Sequence, residues 1–281
     1  MNARRTKVSF FGLGVGGLAF YVYEYLRQHP EVYVPEEDIN FFSDTKVYAK
    51  GIDWYENNFS AKEKKKFGEL SYNYLGCVSA VPLIVRTYPN AKLFAVIANP
   101  LLAIKVVYLE AKMNGDISQD MTLVMFIKQY PEILIRFCFG KYLTQYFSYY
   151  SHNDLMVFMA DEFISDPIKN LSVLYKHLEI DPNFIPLTLK HLIPEEEEDP
   201  KKRGWIVKRA IKFIFKSIKK HYTNLVRRLS VPKVKPESFL LEAEKINLSP
   251  DLEKYLKDYY RSDVAVLSNL LHRNFNEEWG M

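Results

Sequence analysis

The chain has 281 residues and a formal net charge of +4, with 48% hydrophobic and 15% aromatic residues. This composition excludes an intrinsically disordered protein and supplies enough apolar side chains for the core of one large domain. No apolar run reaches the length of a membrane-spanning helix, because the best candidate is interrupted by Asn99, Pro100 and Lys105. We therefore expect no transmembrane segment.

The cysteine content and the N-terminal residues indicate the cellular compartment in which the protein is expected. Cys77 and Cys138 lie far apart in apolar segments, which favours reduced thiols over a disulfide framework. The residues before position 8 lead directly into the first predicted strand, so we expect no signal peptide. Together these features predict a cytoplasmic protein.

The first predicted unit is a strand, a glycine-rich loop and a helix. An apolar run over 8–11 enters the sequence GLGVGG, and a helical pattern continues to His29, where Pro30 ends it. Backbone N–H groups and the helix dipole attract anions at such a helix start. The sequence therefore predicts a phosphate site, whose candidate cofactor-binding residues are Gly12, Gly14, Gly16 and Gly17.

Strands and helices alternate along most of the remaining chain. This alternation predicts a parallel sheet covered by helices on both faces. We expect the strands over 7–11 and 92–98 to be parallel neighbours, because ligand loops of open α/β sheets leave the carboxyl ends of adjacent strands. The other predicted elements are a short helix within 48–59, a strand within 68–75, helices over 101–113 and 121–150, a strand within 154–163, a helix over 166–180 and a helical tail over 249–279.

Positive charge is concentrated in one segment. Between positions 201 and 235 there are thirteen Lys or Arg and no Asp or Glu, and part of this segment has the pattern of a basic amphipathic helix. Such a helix packs on the domain, lies on an anionic surface, or brings Lys202 and Arg203 over a nucleotide phosphate. No aromatic platform or recognised module accompanies the charge, so we expect no nucleic-acid partner. We predict a single domain over 1–281 with a basic helical insertion at about 194–236.

The glycine loop has two further interpretations. Gly12, Gly14 and Gly17 match the G-x-G-x-x-G pattern of dinucleotide-binding proteins, and acidic residues at 36–38 lie where a ribose-binding acid is expected. The loop is then the site of an NAD(P)-binding enzyme. Alternatively, it is a turn that packs a helix on a strand. The six histidines are scattered without the spacing of a ligand set, so we predict no metal site.

The order of several motifs resembles the sulfotransferases of the heparan-sulfate and bacterial carbohydrate type. After the glycine loop come YEYLRQHPEVYVP, an acid and INFF, then GELSYNYL, YPNAKLFAVIANP and DEFISDPIKNLSVLYKHLEI. The helical tail also has a counterpart, and the basic insertion is the part that matches least. The resemblance implies a three-layer, P-loop-like α/β domain with a central parallel sheet.

The same resemblance implies an activity. The family transfers the sulfuryl group of 3′-phosphoadenosine 5′-phosphosulfate (PAPS) to a hydroxyl or amine, here of a small-molecule or carbohydrate acceptor. Asp38 stands at the position of the family's general-base glutamate and is the candidate catalytic residue. The loop over 12–17 would hold the 5′-phosphosulfate of PAPS, the implied cofactor.

Several donor-binding positions depart from the family pattern. The lysine of the family's glycine loop falls on Val15 or Gly16, and the second family lysine falls on Leu70. The arginine and serine that hold the 3′-phosphate fall on Ala98 and Val106. The implied donor site is therefore degenerate, and a non-catalytic or repurposed sulfotransferase-fold protein is the alternative to an active enzyme.

Overall fold

The computed structural model describes residues 7–14, 19–60, 64–192 and 242–281. Their central element is one sheet of five strands in the order β2-β3-β1-β4-β5, and all of the strand pairs are parallel. The predicted parallel α/β sheet is thus confirmed. The predicted basic insertion at 194–236 lies outside the described residues. The strands are β1 (Phe10–Leu13), β2 (Val32–Tyr33), β3 (Lys66–Ser71), β4 (Lys92–Ile97) and β5 (Leu155–Met159).

Helices follow each strand and cover the sheet. Those between β1 and β5 are α1 (Phe20–Arg27), α2 (Thr45–Tyr48), α3 (Ile52–Asn57), α4 (Ala80–Thr87), α5 (Pro100–Asn114), α6 (Leu123–Gln129), α7 (Glu132–Ile135) and α8 (Phe139–Phe147). After β5 come α9 (Ala160–Ser165), α10 (Pro167–His177), a 3₁₀ helix (Leu187–Leu192), α11 (Pro250–Leu271) and α12 (Phe275–Glu278). None of the helices within the described ranges is long and apolar enough to span a membrane.

β1 lies between β3 and β4, so the predicted neighbours are parallel and adjacent. Gly12 pairs with Leu70 on one side and with Phe94 on the other. A Cβ atom at position 12 would lie 2.6 Å from Leu70 Cδ2 and 2.7 Å from the Phe94 ring. Gly12 is therefore required for the close approach of its neighbours' side chains across the sheet.

Three predicted elements have different bounds in the structure. The helix predicted over 121–150 is split into α6, α7 and α8. The first break follows from Pro131, which lacks an N–H group and disfavours helical backbone at Tyr130, and the second lies at Cys138, whose ψ of 70° is not helical. The tail helix ends at Leu271, where His272 takes a left-handed conformation with φ of 51°, and α12 follows as a separate turn. The strand predicted within 154–163 ends at Met159, and its last residues belong to α9.

Other local predictions are confirmed. Asp166 caps α10, since its carboxylate accepts a hydrogen bond from the Lys169 N–H group. Cys77 and Cys138 are both free thiols and are half-buried.

His29 lies just after the end of α1. Its ring accepts a hydrogen bond from the Glu31 N–H group and contacts the Asp181 carbonyl, and it does not bind the carbonyls of α1.

Candidate active site

Asp38 lies in the loop between β2 and α2, beside the carboxyl end of β3. Its Oδ2 accepts hydrogen bonds from the Tyr72 N–H group at 2.9 Å and from Ser71 Oγ at 3.3 Å. Its Oδ1 accepts from the Asn40 N–H group at 3.1 Å. Burial raises the pKa of Asp38 above its ordinary value, and these hydrogen bonds lower it in part. The result is an oriented carboxylate whose proton affinity is increased.

The start of the glycine loop meets the same end of β3. The Gly14 N–H group donates to the Ser71 carbonyl at 2.9 Å, and the Tyr23 hydroxyl of α1 donates to that carbonyl at 3.2 Å. A Cβ atom at position 14 would lie 2.6 Å from the Tyr23 hydroxyl, so a glycine is needed there. Asp38 and Gly14 thus both contact Ser71. We call the group formed by Gly14, Asp38, Asn40, Ser71 and Tyr72 the β3 edge.

A buried carboxyl group lies beneath the β3 edge. Glu69 of β3 is 1% exposed, and its side chain receives hydrogen bonds from Tyr55 at 2.5 Å and Tyr74 at 2.7 Å. Burial, with a smaller contribution from the charge of Asp38, raises the pKa of Glu69 to about 8, although the hydrogen bonds from Tyr55 and Tyr74 lower it in part. The Tyr74 hydroxyl in turn accepts from the Phe42 N–H group. Glu69 therefore ties β3 to the loop that carries Asp38.

Sequence reasoning did not select Glu69 as a site residue. The sequence signal was an acidic residue between Gly68 and Leu70 in a predicted strand, and charged side chains are seldom fully buried without partners. Its tyrosine partners come from α3 and from the turn after β3, and only the folded structure brings them together.

The carboxyl end of β4 has a different character. Ala98, directly after β4, and Val106 of α5 are each 2% exposed. Asn99 caps α5, because its Oδ1 accepts from the Leu101 N–H group at 2.9 Å. Next to Ala98 lies a cavity of about 510 Å³ that is also lined by Lys105 and Lys257. We call Ala98, Asn99, Lys105 and Val106 the β4 edge.

Carboxylates outnumber lysines around this cavity. Asp161, Glu244 and Glu253 share its lining with the two lysines, and Lys257 Nζ is 2.9 Å from Glu253 Oε1. Burial lowers the pKa of Lys105, and nearby Glu253 and Glu244 raise it in part. The cavity at the β4 edge therefore does not carry an excess of positive charge among its described residues.

Comparison with known proteins relates this arrangement to one family. A membrane-associated sulfotransferase of Dictyostelium discoideum is 31% identical over 82 residues, which are 27% of this chain and 17% of that protein. Heparan sulfate glucosamine 3-O-sulfotransferase 5 of Mus musculus is 22% identical over 191 residues, covering 63% of this chain and 54% of that protein. The chain thus spans about half or less of the length of these curated relatives. No protein-family model matches the chain.

Solved structures agree over nearly the whole chain. A sulfotransferase of Alicyclobacillus acidocaldarius superposes with a TM-score of 0.66 at 18% identity. The superposed region covers 98% of this chain and 99% of that one. The chain has the sulfotransferase fold. A mouse sulfotransferase complexed with PAP has a TM-score of 0.54 at 12% identity, with 94% of this chain and 86% of that one covered. The predicted relation to the PAPS-dependent sulfotransferase family and the predicted fold class are confirmed.

The described residues at the carboxyl end of β4 are apolar at the positions that the family resemblance assigns to the 3′-phosphate of PAPS. A phosphate needs cations or free donors, whereas Ala98 and Val106 offer buried methyl groups. The neighbouring Lys105 faces carboxylates. Leu70, the position of the second family lysine, is buried in the core. The β4 edge therefore lacks the phosphate ligands that the family pattern places there.

Four of the predicted donor residues lie outside the described residues: Gly16, Gly17, Lys202 and Arg203. Among the residues that are described, Gly12 and Gly14 lie at the carboxyl end of β1, and Gly14 contacts the residue that binds Asp38. No group of three or more His, Cys, Asp or Glu suited to a metal ion occurs in the described ranges. The buried histidines contact backbone carbonyls, His29 that of Asp181 and His177 that of Leu93.

Proposed function

We propose that this protein is a sulfotransferase with an altered donor site, acting on a hydroxyl or amine of a small-molecule or carbohydrate acceptor. The observation that carries the proposal is the oriented, partly desolvated carboxylate of Asp38 at the β3 edge. This residue stands where the related family has its general base. Burial and fixed donors are the usual means by which a protein tunes a carboxylate for proton transfer.

In the proposed reaction Asp38 accepts the proton that the attacking hydroxyl or amine releases. A carboxylate oxygen has two acceptor positions, and Asp38 Oδ1 receives one hydrogen bond from within the described residues. The second position is then available to the acceptor proton. Oδ2 already receives two donors, which orient the carboxylate. When bound, PAPS would supply the sulfuryl group.

Donor binding is the altered part of the proposal. The Gly14 N–H group already donates to the Ser71 carbonyl. We therefore propose that Gly16 and Gly17 bind the 5′ side of the donor. We propose that Lys202 and Arg203 bind the 3′ side, because the β4 edge has no cation at Ala98 or Val106, the positions that the resemblance assigns to this phosphate. Each charged hydrogen bond that is lost is worth about 1.5–3 kcal/mol. We therefore expect PAPS to bind far more weakly than to relatives with the complete set.

The test is transfer of labelled sulfate from PAPS to a panel of hydroxyl and amine acceptors, including heparan-type oligosaccharides and simple phenols. We expect label in the acceptor only at high donor concentration, and none with Asp38→Asn. Calorimetry with PAP on the same preparation measures donor binding directly. If no acceptor is labelled and PAP does not bind at millimolar concentration, the enzymatic proposal is wrong.

A non-catalytic or repurposed protein is the second candidate. The observation that favours it is the burial of apolar residues at Leu70, Ala98 and Val106, where the family pattern has a cation or a hydroxyl. The NAD(P)-binding hypothesis is less well supported, because in the Rossmann order the second strand lies beside the first, whereas here β3 does. Parallel calorimetry with PAP and NAD(P) distinguishes the three hypotheses.

Two further parts of the proposal concern location and partners. A cytoplasmic location accords with two free cysteines, because reducing compartments keep thiols reduced. The segment over 201–235 is proposed to contact an anionic surface through its thirteen basic residues.

A further inference from the structure

Asn40 has an unusual backbone conformation beside Asp38. Its φ of 55° lies in the left-handed region, which asparagine tolerates better than most residues but at some cost. In this conformation its N–H group donates to Asp38 Oδ1. Its carbonyl accepts from the Asp44 N–H group at 3.0 Å. The strained residue is thus part of the turn that presents the Asp38 carboxylate.

The Asn40 side chain anchors this turn to the end of β3. Its Oδ1 accepts from Asn73 Nδ2 at 2.8 Å and lies 3.3 Å from Ser71 Oγ. The Ser71 hydroxyl has a single hydrogen, and its oxygen also lies 3.3 Å from Asp38 Oδ2. The Asn73 N–H group completes the arrangement by donating to Ser71 Oγ at 3.1 Å. One connected network therefore links the Asp38 carboxylate, its turn and β3.

We propose that Asn40 is a positioning residue for the Asp38 carboxylate, held in place by Asn73 and Ser71. The catalytic role of Asp38 in this inference rests on the proposed function. The hydrogen-bond network around Asn40 is present in the protein without any ligand. The anchor holds the Asn40 N–H group on Oδ1 while the end of β3 supplies Tyr72 N–H to Oδ2. The carboxylate is thereby clamped from both sides.

The test is a carbon-detected NMR titration of the Asp38 carboxyl group in the full-length protein. The variants are Asn73→Ala, which removes the shortest hydrogen bond to Asn40 Oδ1 and leaves those from Ser71 and Ser43, and Asn40→Gly, which keeps the left-handed backbone but removes the amide. Both should raise the pKa of Asp38, because its hydrogen bond from the Asn40 N–H group weakens and that bond lowers the pKa. The titratable side chains that interact electrostatically with Asp38, namely Glu69, Tyr23 and Tyr74, are not substituted in these variants.

The matched control is Asn58→Ala. The Asn58 amide bonds only to carbonyls of α3 in the described structure, those of Trp54 and Tyr55, so the titration of Asp38 should not move. Thermal unfolding of each variant separates a shift in titration from a loss of fold. Should Asn40→Gly fail to fold, Asn73→Ala still decides the question. An Asp38 titration identical to the parent in a folded Asn73→Ala protein overturns the proposal, and shifted titrations in a protein without transfer activity overturn only the proposed function.

Discussion

The β3 edge and the β4 edge are adjacent parts of one sheet margin but differ in chemistry. At the β3 edge, Asp38 receives donors from two backbone N–H groups and one hydroxyl. At the β4 edge, Ala98 and Val106 are buried and apolar, and Lys105 lies near carboxylates. The first edge is a hydrogen-bonded polar cluster, whereas Ala98 and Val106 of the second edge offer no polar side-chain group within the described residues.

The difference lies in the groups that each edge offers to a ligand. Asp38 is held mainly by main-chain donors, which any sequence supplies once the backbone is in place. A phosphate clamp depends on particular charged side chains, and each of them can be replaced by an alkyl side chain without loss of the fold. If the proposed function holds, substitutions at the β3 edge change proton transfer and substitutions at the β4 edge change donor affinity, and the following predictions examine each edge.

The largest effect is expected for Asp38→Asn. The amide cannot accept a proton at neutral pH, so the rate of sulfuryl transfer should fall by about 10²–10⁴-fold. The measurement is the initial rate with labelled PAPS and the best acceptor. Glu37→Gln, a change at an exposed neighbouring acid, serves as the control and should retain the parental rate. If Asp38→Asn keeps more than a tenth of the activity, another group accepts the proton.

The buried Glu69 beneath the β3 edge predicts a pH-dependent stability. Its pKa is raised from 4.5 to about 8 in the folded protein, so the folded state holds a proton that the unfolded state releases. The contribution of Glu69 to the free energy of unfolding should therefore be fully present below about pH 5 and be lost, by several kcal/mol, as pH rises through about 8.

Glu69→Gln isolates this contribution. The variant cannot ionise at position 69, so its free energy of unfolding should depend less on pH across the same interval. Urea unfolding of both proteins at pH 5.5 and 8.5 gives the comparison, and other titrating groups cancel in the difference. Equal pH dependence in the two proteins would mean that Glu69 is not protonated in the folded state.

At the β4 edge, Ala98→Arg should strengthen the binding of PAP. Ala98 lines the cavity, so the longer side chain has space in which to meet a phosphate. One charge-assisted contact predicts a gain in affinity of about 10–100-fold, measured by calorimetry at low salt. Ala98→Met has a similar length without the charge and should give no gain. Equal affinities for the two variants would show that the donor phosphate does not reach this edge.

The smallest effect is expected at the junction of the two edges, where Tyr23 meets Gly14. Tyr23→Phe removes the hydrogen bond to the Ser71 carbonyl and should lower the free energy of unfolding by about 0.5–1.5 kcal/mol. Tyr255→Phe changes an exposed tyrosine and should have no measurable effect on urea unfolding. A Tyr23→Phe protein as stable as the parent would mean that the hydroxyl contributes no net stability.

Local pattern was sufficient to predict the sheet. Apolar strands that alternate with helical periods require burial on both faces, and this physical constraint predicts parallel strands without reference to distant contacts. It also placed Gly12 near a sheet margin, because loops that follow strands meet at their carboxyl ends, whereas Asp38 was assigned through the family resemblance. The predicted helix over 121–150 is divided in the structure, and the break between α6 and α7 lies at Pro131, which the sequence shows.

By itself the sequence determined the α/β class, the relation to sulfotransferases and the absence of charge at Leu70, Ala98 and Val106, because residue identity and order decide these features. Only the tertiary structure decided that Asp38 is held by Ser71, Tyr72 and Asn40, and that Glu69 is buried between Tyr55 and Tyr74. These partners are up to about 34 residues apart in the chain. The hydrogen bonds and the raised pKa values arise from distance and burial, which have no local signature in the sequence.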